Sequence, residues 1–285
     1  MPIRPQTVVT AALLLFAACD YVDQPRQGGG GGPGPTPGET SRRILLEDMT
    51  GHTCNNCPSA TQTALQLQAV YGAENVILVG VHCTDAFAAP YPPIGDGVLD
   101  TDFRTPAGNA YATSFNITFL PTGMVSRKPY NSSLTLSQSA WGSAIAEIID
   151  DDPVMDIWFG SLTYNSTTNV VNTTVKVAML EDIVGDHNLV IYLTEDNVID
   201  YQIDNQATPP IVPDYNHRHV LRDNLNGTWG TLAISGGASV GDTLSFPFTY
   251  PLASNVIEPA NCHLVAYVYR NADYEVLQAA EKKLP

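Results

Sequence analysis

The stretch that decides the reading is Arg43-Ile44-Leu45-Leu46-Glu47-Asp48-Met49-Thr50-Gly51-His52-Thr53-Cys54-Asn55-Asn56-Cys57-Pro58, continuing to Tyr71. Ile44, Leu45 and Leu46 predict a short buried strand bounded by Glu47 and Asp48. Pro58 is tolerated in a first helical turn, and Ala60, Ala64, Leu67 and Tyr71 then recur at helical spacing up to Gly72. The two cysteines therefore stand at a strand-to-helix junction. A helix N-terminus leaves N–H groups unpaired and carries the positive end of the macrodipole, so a sulfur there ionises more readily than a free thiol. With two residues between them, Cys57 can reach and resolve a mixed disulfide formed on Cys54.

Outward from this stretch, Val76 to Val81 is a nearly continuous apolar run of the kind buried in a parallel sheet, so Arg43 to Val81 reads as strand, helix, strand. His82 to Phe103 is rich in proline and glycine and reads as a loop inserted over one end of the sheet. A short helix is expected from Pro106 to Phe115, and a strand after Leu120-Pro121-Thr122. A longer helix begins near Leu136, with Trp141, Ile145, Ile148 and Ile149 on one face. The acidic run Asp150 to Asp152 and Pro153 mark a boundary. Beyond it about seven β-type runs alternate with turn residues, which suggests an immunoglobulin-like sandwich.

Before the stretch, Val8 to Ala18 form a short apolar core behind Arg4, and Ala17 and Ala18 precede Cys19. This reads as an export signal, residues 1–18, too short to span a bilayer as a stable helix. The placement of Cys19 resembles a bacterial lipobox, which implies lipid attachment there; a plain secretory cleavage site is the alternative. Residues 19–41, with Gly28 to Gly32 followed by Pro33, Pro35 and Pro37, can build no core and read as a tether. The 285-residue chain is 44% hydrophobic and carries a formal charge of -16. Such acidity argues against nucleic acid as a partner.

Setting Cys19 aside leaves Cys54, Cys57, Cys83 and Cys262, an even number for an oxidising compartment. Cys54 with Cys57 is the expected local pair, and whether Cys83 joins Cys262 stays open. The Cys54/Cys57 pair admits a redox centre, an inert structural disulfide or, with too few further ligands in the sequence, zinc. His217 and His219, one residue apart, would share a face of a strand, but two ligands are too few for a metal and a pair of ordinary strand histidines is the preferred reading; Asp100 with Asp102 could hold calcium, and a solvated loop is the preferred reading.

With Pro121 in view, the segment resembles the thioredoxin superfamily: strand, Cys-x-x-Cys at a helix start, strand, and a later Pro-Thr step before another strand. The resemblance implies that Pro121 is cis and lies against the cysteine pair, that Leu120 offers its backbone to substrate, and that Asp48, buried, accepts a proton from Cys57. Glu47, on the other side of the strand, is the competing acid. His52 could stabilise a thiolate when protonated or simply face solvent. Asn55-Asn56 in place of Gly-Pro, and no tryptophan before Cys54, are departures from the thioredoxin pattern.

Nearly everything after the tether also resembles the outer-membrane lipoprotein family of Bacteroidota named after a twenty-eight-kilodalton outer-membrane protein. The residues that carry this are Glu47 with Thr50-Gly51-His52 before the cysteine motif, Asp102 to Pro106, Leu120 to Met124 with Arg127, and His219-Val220-Leu221-Arg222. It implies a thioredoxin-like α/β domain (42–150) followed by an all-β sandwich (153–285), lipid-anchored at the outer membrane and facing the periplasm or the surface. The expected function is thiol-disulfide exchange with protein thiols or disulfides, without a cofactor. In that scheme Cys54 attacks, Cys57 resolves, Asp48 assists, and Leu120, Pro121 and His52 position substrate. The alternative is a non-catalytic surface protein that binds a protein or glycan through its β-sandwich. A loop from His82 to Phe103 covering the cysteines favours the second; an open cleft beside them favours the first.

Overall fold

The computed structural model describes residues 40–285, so the expected export signal, Cys19 and nearly all of the tether lie outside the described residues. Strand β1 (Ile44–Thr50) is buried along its whole length and pairs in parallel with β2 (Val76–His82), with Asp48 opposite Gly80. Helix α1 (Cys57–Tyr71) connects them and packs Ala60 and Ala64 against Ile44, Leu46 and Leu78. A helical turn α2 (Asp85–Ala88) opens the following loop. Helix α3 (Pro106–Ser114) is capped by Thr105, whose side chain accepts from the Gly108 N–H. Strand β3 (Thr122–Val125) runs antiparallel to β1, with Thr122 opposite Met49. Helix α4 (Gln138–Ile148) buries Trp141, Ile145 and Ile148 beside α1. At Gly123 a Cβ would stand 2.7 Å from the Trp141 ring, so only glycine lets that indole close on the sheet.

The rest of the chain is β-rich. Its strands are β4 (Met155–Asn165), β5 (Val170–Met179), β6 (Ile183–Val184), β7 (His187–Glu195), β8 (Val198–Ile203), β9 (Ile211–His217), β10 (Val220–Asn224), β11 (Thr231–Ile234), β12 (Gly237–Ala238), β13 (Thr243–Pro251), β14 (Cys262–Arg270) and β15 (Val276–Lys283). The seven runs read from the sequence are β4, β5, β7, β10, β13, β14 and β15. A main sheet runs β15-β14-β7-β10-β2-β1-β3, with β11 also on β7, so strands from before and after the acidic run share one sheet. The join is narrow: β10 meets β2 in parallel through Val220 and Gly80, and the Gly80 N–H donates to the His219 carbonyl at 2.8 Å. A second layer, β13-β5-β4, closes a core of Ile157, Val175 and Val177 on Ile191, Leu264 and Ala266.

The join is pinned by a buried ion pair. Glu47 receives Arg127 Nε and Nη2, both at 2.8 Å, and the same guanidinium donates to the hydroxyls of Tyr192 and Tyr267 at 3.0 Å. Glu47 and Arg127 have no exposed surface. The rings of Tyr111, Phe115 and Tyr267 stand 4.8 to 5.3 Å from the guanidinium carbon, a cation–π setting. Glu47 is thus committed on the opposite side of β1 from Asp48, which removes it as the acid beside the cysteines.

Candidate functional site

Strand β1 ends at Thr50, and the chain turns through Gly51 to Asn56 into α1, whose first residue is Cys57. Within that turn the Cys54 N–H donates to Gly51 O and the Cys57 N–H to Cys54 O, at 3.0 and 3.2 Å. Cys54 and Cys57 are joined by a disulfide. Pro121, the residue before β3 and half-buried, lies at the same end of β1, and the Leu120–Pro121 peptide is cis. Leu120 packs half-buried against the core.

Asp48 lies beneath this turn. Its Oδ2 accepts from the Thr61 hydroxyl at 3.0 Å, while Oδ1 is buried with no partner. Burial pushes its pKa up to about 7, only partly offset by Thr61. A cavity of about 30 Å³, room for roughly one or two waters, brings Asp48 together with Cys57, Pro58, Thr61, Tyr215 and His217. Cys83 follows β2, and burial together with Asp48 raises its thiol to about 12. Cys83 and Cys262 are both free and buried, in different core clusters.

Two further pieces of chain close over the turn. From the loop after β2, Phe87 O accepts the Thr53 N–H at 3.1 Å. Gly51 lies so close beneath Phe87 that a Cβ there would stand 2.3 Å from Phe87 O. From the β8–β9 hairpin, the Ile203 N–H donates to His52 O at 2.8 Å and the Asn205 N–H to Asn55 O at 3.0 Å. Gln202 Nε2 donates to Cys54 O at 3.1 Å. Cys54 and Cys57 are consequently only 2% and 1% exposed. A Gly51→Ala chain is expected to lose about 1–3 kcal/mol of stability, from overpacking against backbone that cannot move aside cheaply, with the loss measured by denaturant unfolding of the oxidised protein.

The structure corrects two expectations. His52 neither faces solvent nor stands ready as a cation: it is 1% exposed, both ring nitrogens lack partners, and burial lowers its pKa. His217 and His219 do not share a strand face, because β9 ends at His217 and His219 takes a left-handed backbone with φ 52°. His217 turns inward to Phe103, whereas His219 Nδ1 stands 3.4 Å from Asp196. Asp100 and Asp102 are occupied locally, Asp100 by the Gly95 and Gly97 N–H groups and Asp102 by Arg104. Among the described residues no group of three or more His, Cys, Asp or Glu is arranged to hold a metal, and no helix is long and apolar enough to cross a membrane.

Sequence reasoning missed the β8–β9 hairpin, and with it Gln202 and Tyr215. The alternation of Val198, Asp200 and Gln202 with Ile199, Tyr201 and Ile203 carries a period-2 signal. Pro209, Pro210 and Pro213 obscured it, because proline in a run argues against a strand.

Residues 108–285 match the family described as outer membrane protein Omp28, a match that begins after the cysteine pair. Among solved structures the chain is similar to HBP35 of Porphyromonas gingivalis, with 18% identity over 87% of this chain and 76% of that one and a TM-score of 0.63. It is also similar to a domain of the outer membrane lipoprotein Omp28 from Porphyromonas gingivalis, with 23% identity over 46% of this chain and 88% of that one, TM-score 0.32. The likeness to HBP35 shows a shared β-rich fold. No curated protein is similar enough to the chain to count as a match.

Proposed function

Because the chain belongs to the outer membrane protein Omp28 family, we propose that it serves at the outer membrane, anchored through Cys19, as a thiol-disulfide exchange protein whose centre is Cys54–Cys57 in a thioredoxin-like α/β segment. The observation that carries this reading is Asp48. A buried carboxyl with an unpartnered oxygen weakens a fold, and a disulfide that only staples a turn has no use for one. Its place in one cavity with Cys57 suits proton exchange with that sulfur. The parallel β1–β2 pair, the antiparallel β3 and the helix opening at Cys57 support the thioredoxin-like reading.

In the oxidising direction, a thiolate of a protein dithiol attacks Cys54 Sγ and forms a mixed disulfide. The Cys54–Cys57 bond breaks and Cys57 leaves as a thiolate. Protonated Asp48 gives it a proton. The second substrate thiol, as its thiolate, then attacks the substrate sulfur of the mixed disulfide and releases Cys54. The substrate loses two electrons and the protein pair gains them; the reducing direction is the reverse.

The test is the Cys57→Ser chain, in which Cys54 has no resolving partner. Mixed disulfides with other envelope proteins are expected to accumulate on Cys54. An absence of trapped partners, with a Cys54 pKa near the ordinary thiol value, sinks the proposal. The second reading, a non-catalytic protein with a structural disulfide that binds a protein or glycan through its β-rich part, is favoured by the burial of both sulfurs under the loop and hairpin.

A further inference from the structure

The hairpin above the disulfide is held differently from the sheet beneath it. It forms a two-stranded sheet of its own, and the side chains it buries are few: Val198, Gln202 and His217. Backbone bonds from Ile203 and Asn205, with Gln202, tie it to the cysteine turn. Asp200 ties it to Thr101 of the loop. A strap so lightly attached opens at far lower free energy than the core strands.

One aromatic cluster holds loop, hairpin and turn together. Phe103 of the loop is stacked on His82 at 4.7 Å between ring centroids, with His217 at 4.8 Å and His52 at 5.4 Å. The His82 and His217 rings meet edge-on at 5.5 Å. Three imidazoles, from the turn, the end of β2 and the end of β9, thus converge on one phenyl ring. They are buried, and both nitrogens of His52 and Nδ1 of His82 have no hydrogen-bond partner.

Such packing suits neutral rings: His217 Nε2 meets Tyr201 O at 3.3 Å and the backbones of Leu99 and Gly80 favour charge on His52 and His82, but burial outweighs these contacts at all three rings. Arg222 already stands over Phe103 at 6.0 Å and opposes further positive charge. Two acids face the cluster and favour charge on it, Asp200 on His52 and His217 and Asp102 on His52, but both are outweighed by burial; Asp200 accepts from Thr101 and the Tyr201 N–H, and Asp102 is paired with Arg104. Tyr215 lies 4.8 Å from the His217 ring. Across the cavity, Asp48 has its one free oxygen, and Arg218 and His219 complete the wall.

We propose that the β8–β9 hairpin and the loop before Phe103 form a lid over the Cys54–Cys57 disulfide, latched by His52, His82 and His217 around Phe103 and released when acidification charges these imidazoles. Burial pulls His217 down to about 4 and lowers His52 and His82 as well. The closed form therefore refuses protons that the open form accepts at the ordinary histidine value. Its advantage is complete above about pH 6.5 and shrinks as pH falls toward 4. The lid deepens the exchange reading, on which it rests for its purpose: it decides when a protein thiol reaches Cys54.

The experiment uses the full oxidised chain and follows reduction of the disulfide by a phosphine reductant at pH 7.5 and 5.5. Each rate is divided by that of an unstructured peptide carrying the same Cys-x-x-Cys sequence in the same buffer. The relative rate is expected to rise about tenfold at pH 5.5 for each histidine that titrates on opening. Hydrogen-exchange protection at the Ile203 and Asn205 amides falls with it, while β1 and β2 stay protected. In a His82→Phe, His217→Phe chain the step shrinks. Equal relative rates and equal protection at the two pH values overturn the proposal, and so does loss of protection in β1 together with the hairpin, which would be global unfolding. Neither readout needs the histidine variant to fold or a partner to be present. A lid that opens in a chain that traps no partner on Cys54 keeps this inference and removes the exchange reading.

Discussion

Replacing Arg127 by methionine is expected to destabilise the protein by about 3–5 kcal/mol, the range for stranding one member of a buried ion pair. The methionine fills much of the same space, so the loss is electrostatic. Glu47 would keep no exposed surface while losing its two 2.8 Å partners, retaining only the Tyr192 hydroxyl at 2.8 Å. Adding Glu47→Gln to Arg127→Met removes the stranded charge and is expected to restore a substantial part of the stability. Denaturant unfolding of the single and double variants at pH 5 and 8 measures both effects. A single variant as stable as the parent at pH 8 would show that the pair is not what joins the sheet.

Asp48→Asn should act in the opposite direction and also with pH. A carboxyl whose pKa is raised by the fold favours its protonated form there, so its contribution is fully present below about pH 4 and is lost as pH rises through about 7. A shift of about three pH units corresponds to about 4 kcal/mol at most, reduced where water reaches the cavity. Asparagine keeps a group that can accept from Thr61 and never ionises. The oxidised Asp48→Asn chain is therefore expected to match the parent at pH 4 and to exceed it by up to about 4 kcal/mol at pH 8.5, read from thermal or denaturant unfolding across that range. If Asp48 exchanges a proton with Cys57, the same substitution slows exchange by about a hundredfold or more. Gain in stability with loss of exchange is the signature of a functional acid; gain alone points to the structural reading.

Much of this architecture is legible in the residues. Ile44 to Leu46 and Val76 to Val81 are long enough apolar runs to identify buried parallel strands, and the repeat of Ala60, Ala64, Leu67 and Tyr71 identifies the helix between them. The runs from Met155 to Tyr164 and from Val170 to Met179 follow β4 and β5 almost residue for residue. What local pattern does not carry is partnership at long range. That β10 pairs with β2 depends on one backbone bond at Gly80, and a glycine in a strand does not name its neighbour. His52, His82, Phe103 and His217 are individually ordinary residues, and they become a cluster only through the hairpin, whose prolines hide its strands. Asp48 was readable as an acid six residues before Cys54, but its orphaned oxygen was not. Glu47 and Asp48 are adjacent carboxylates of opposite fate because successive strand side chains point to opposite faces.

The bond from Arg127 to Tyr267 spans 140 residues of chain. Strand β2 likewise gains its neighbour β10 only after most of the chain has been made. Contacts of such high sequence separation form late, because the loop they close must be ordered first. The early α/β elements can form and re-form, but their central arginine has no complete set of partners until β14 arrives.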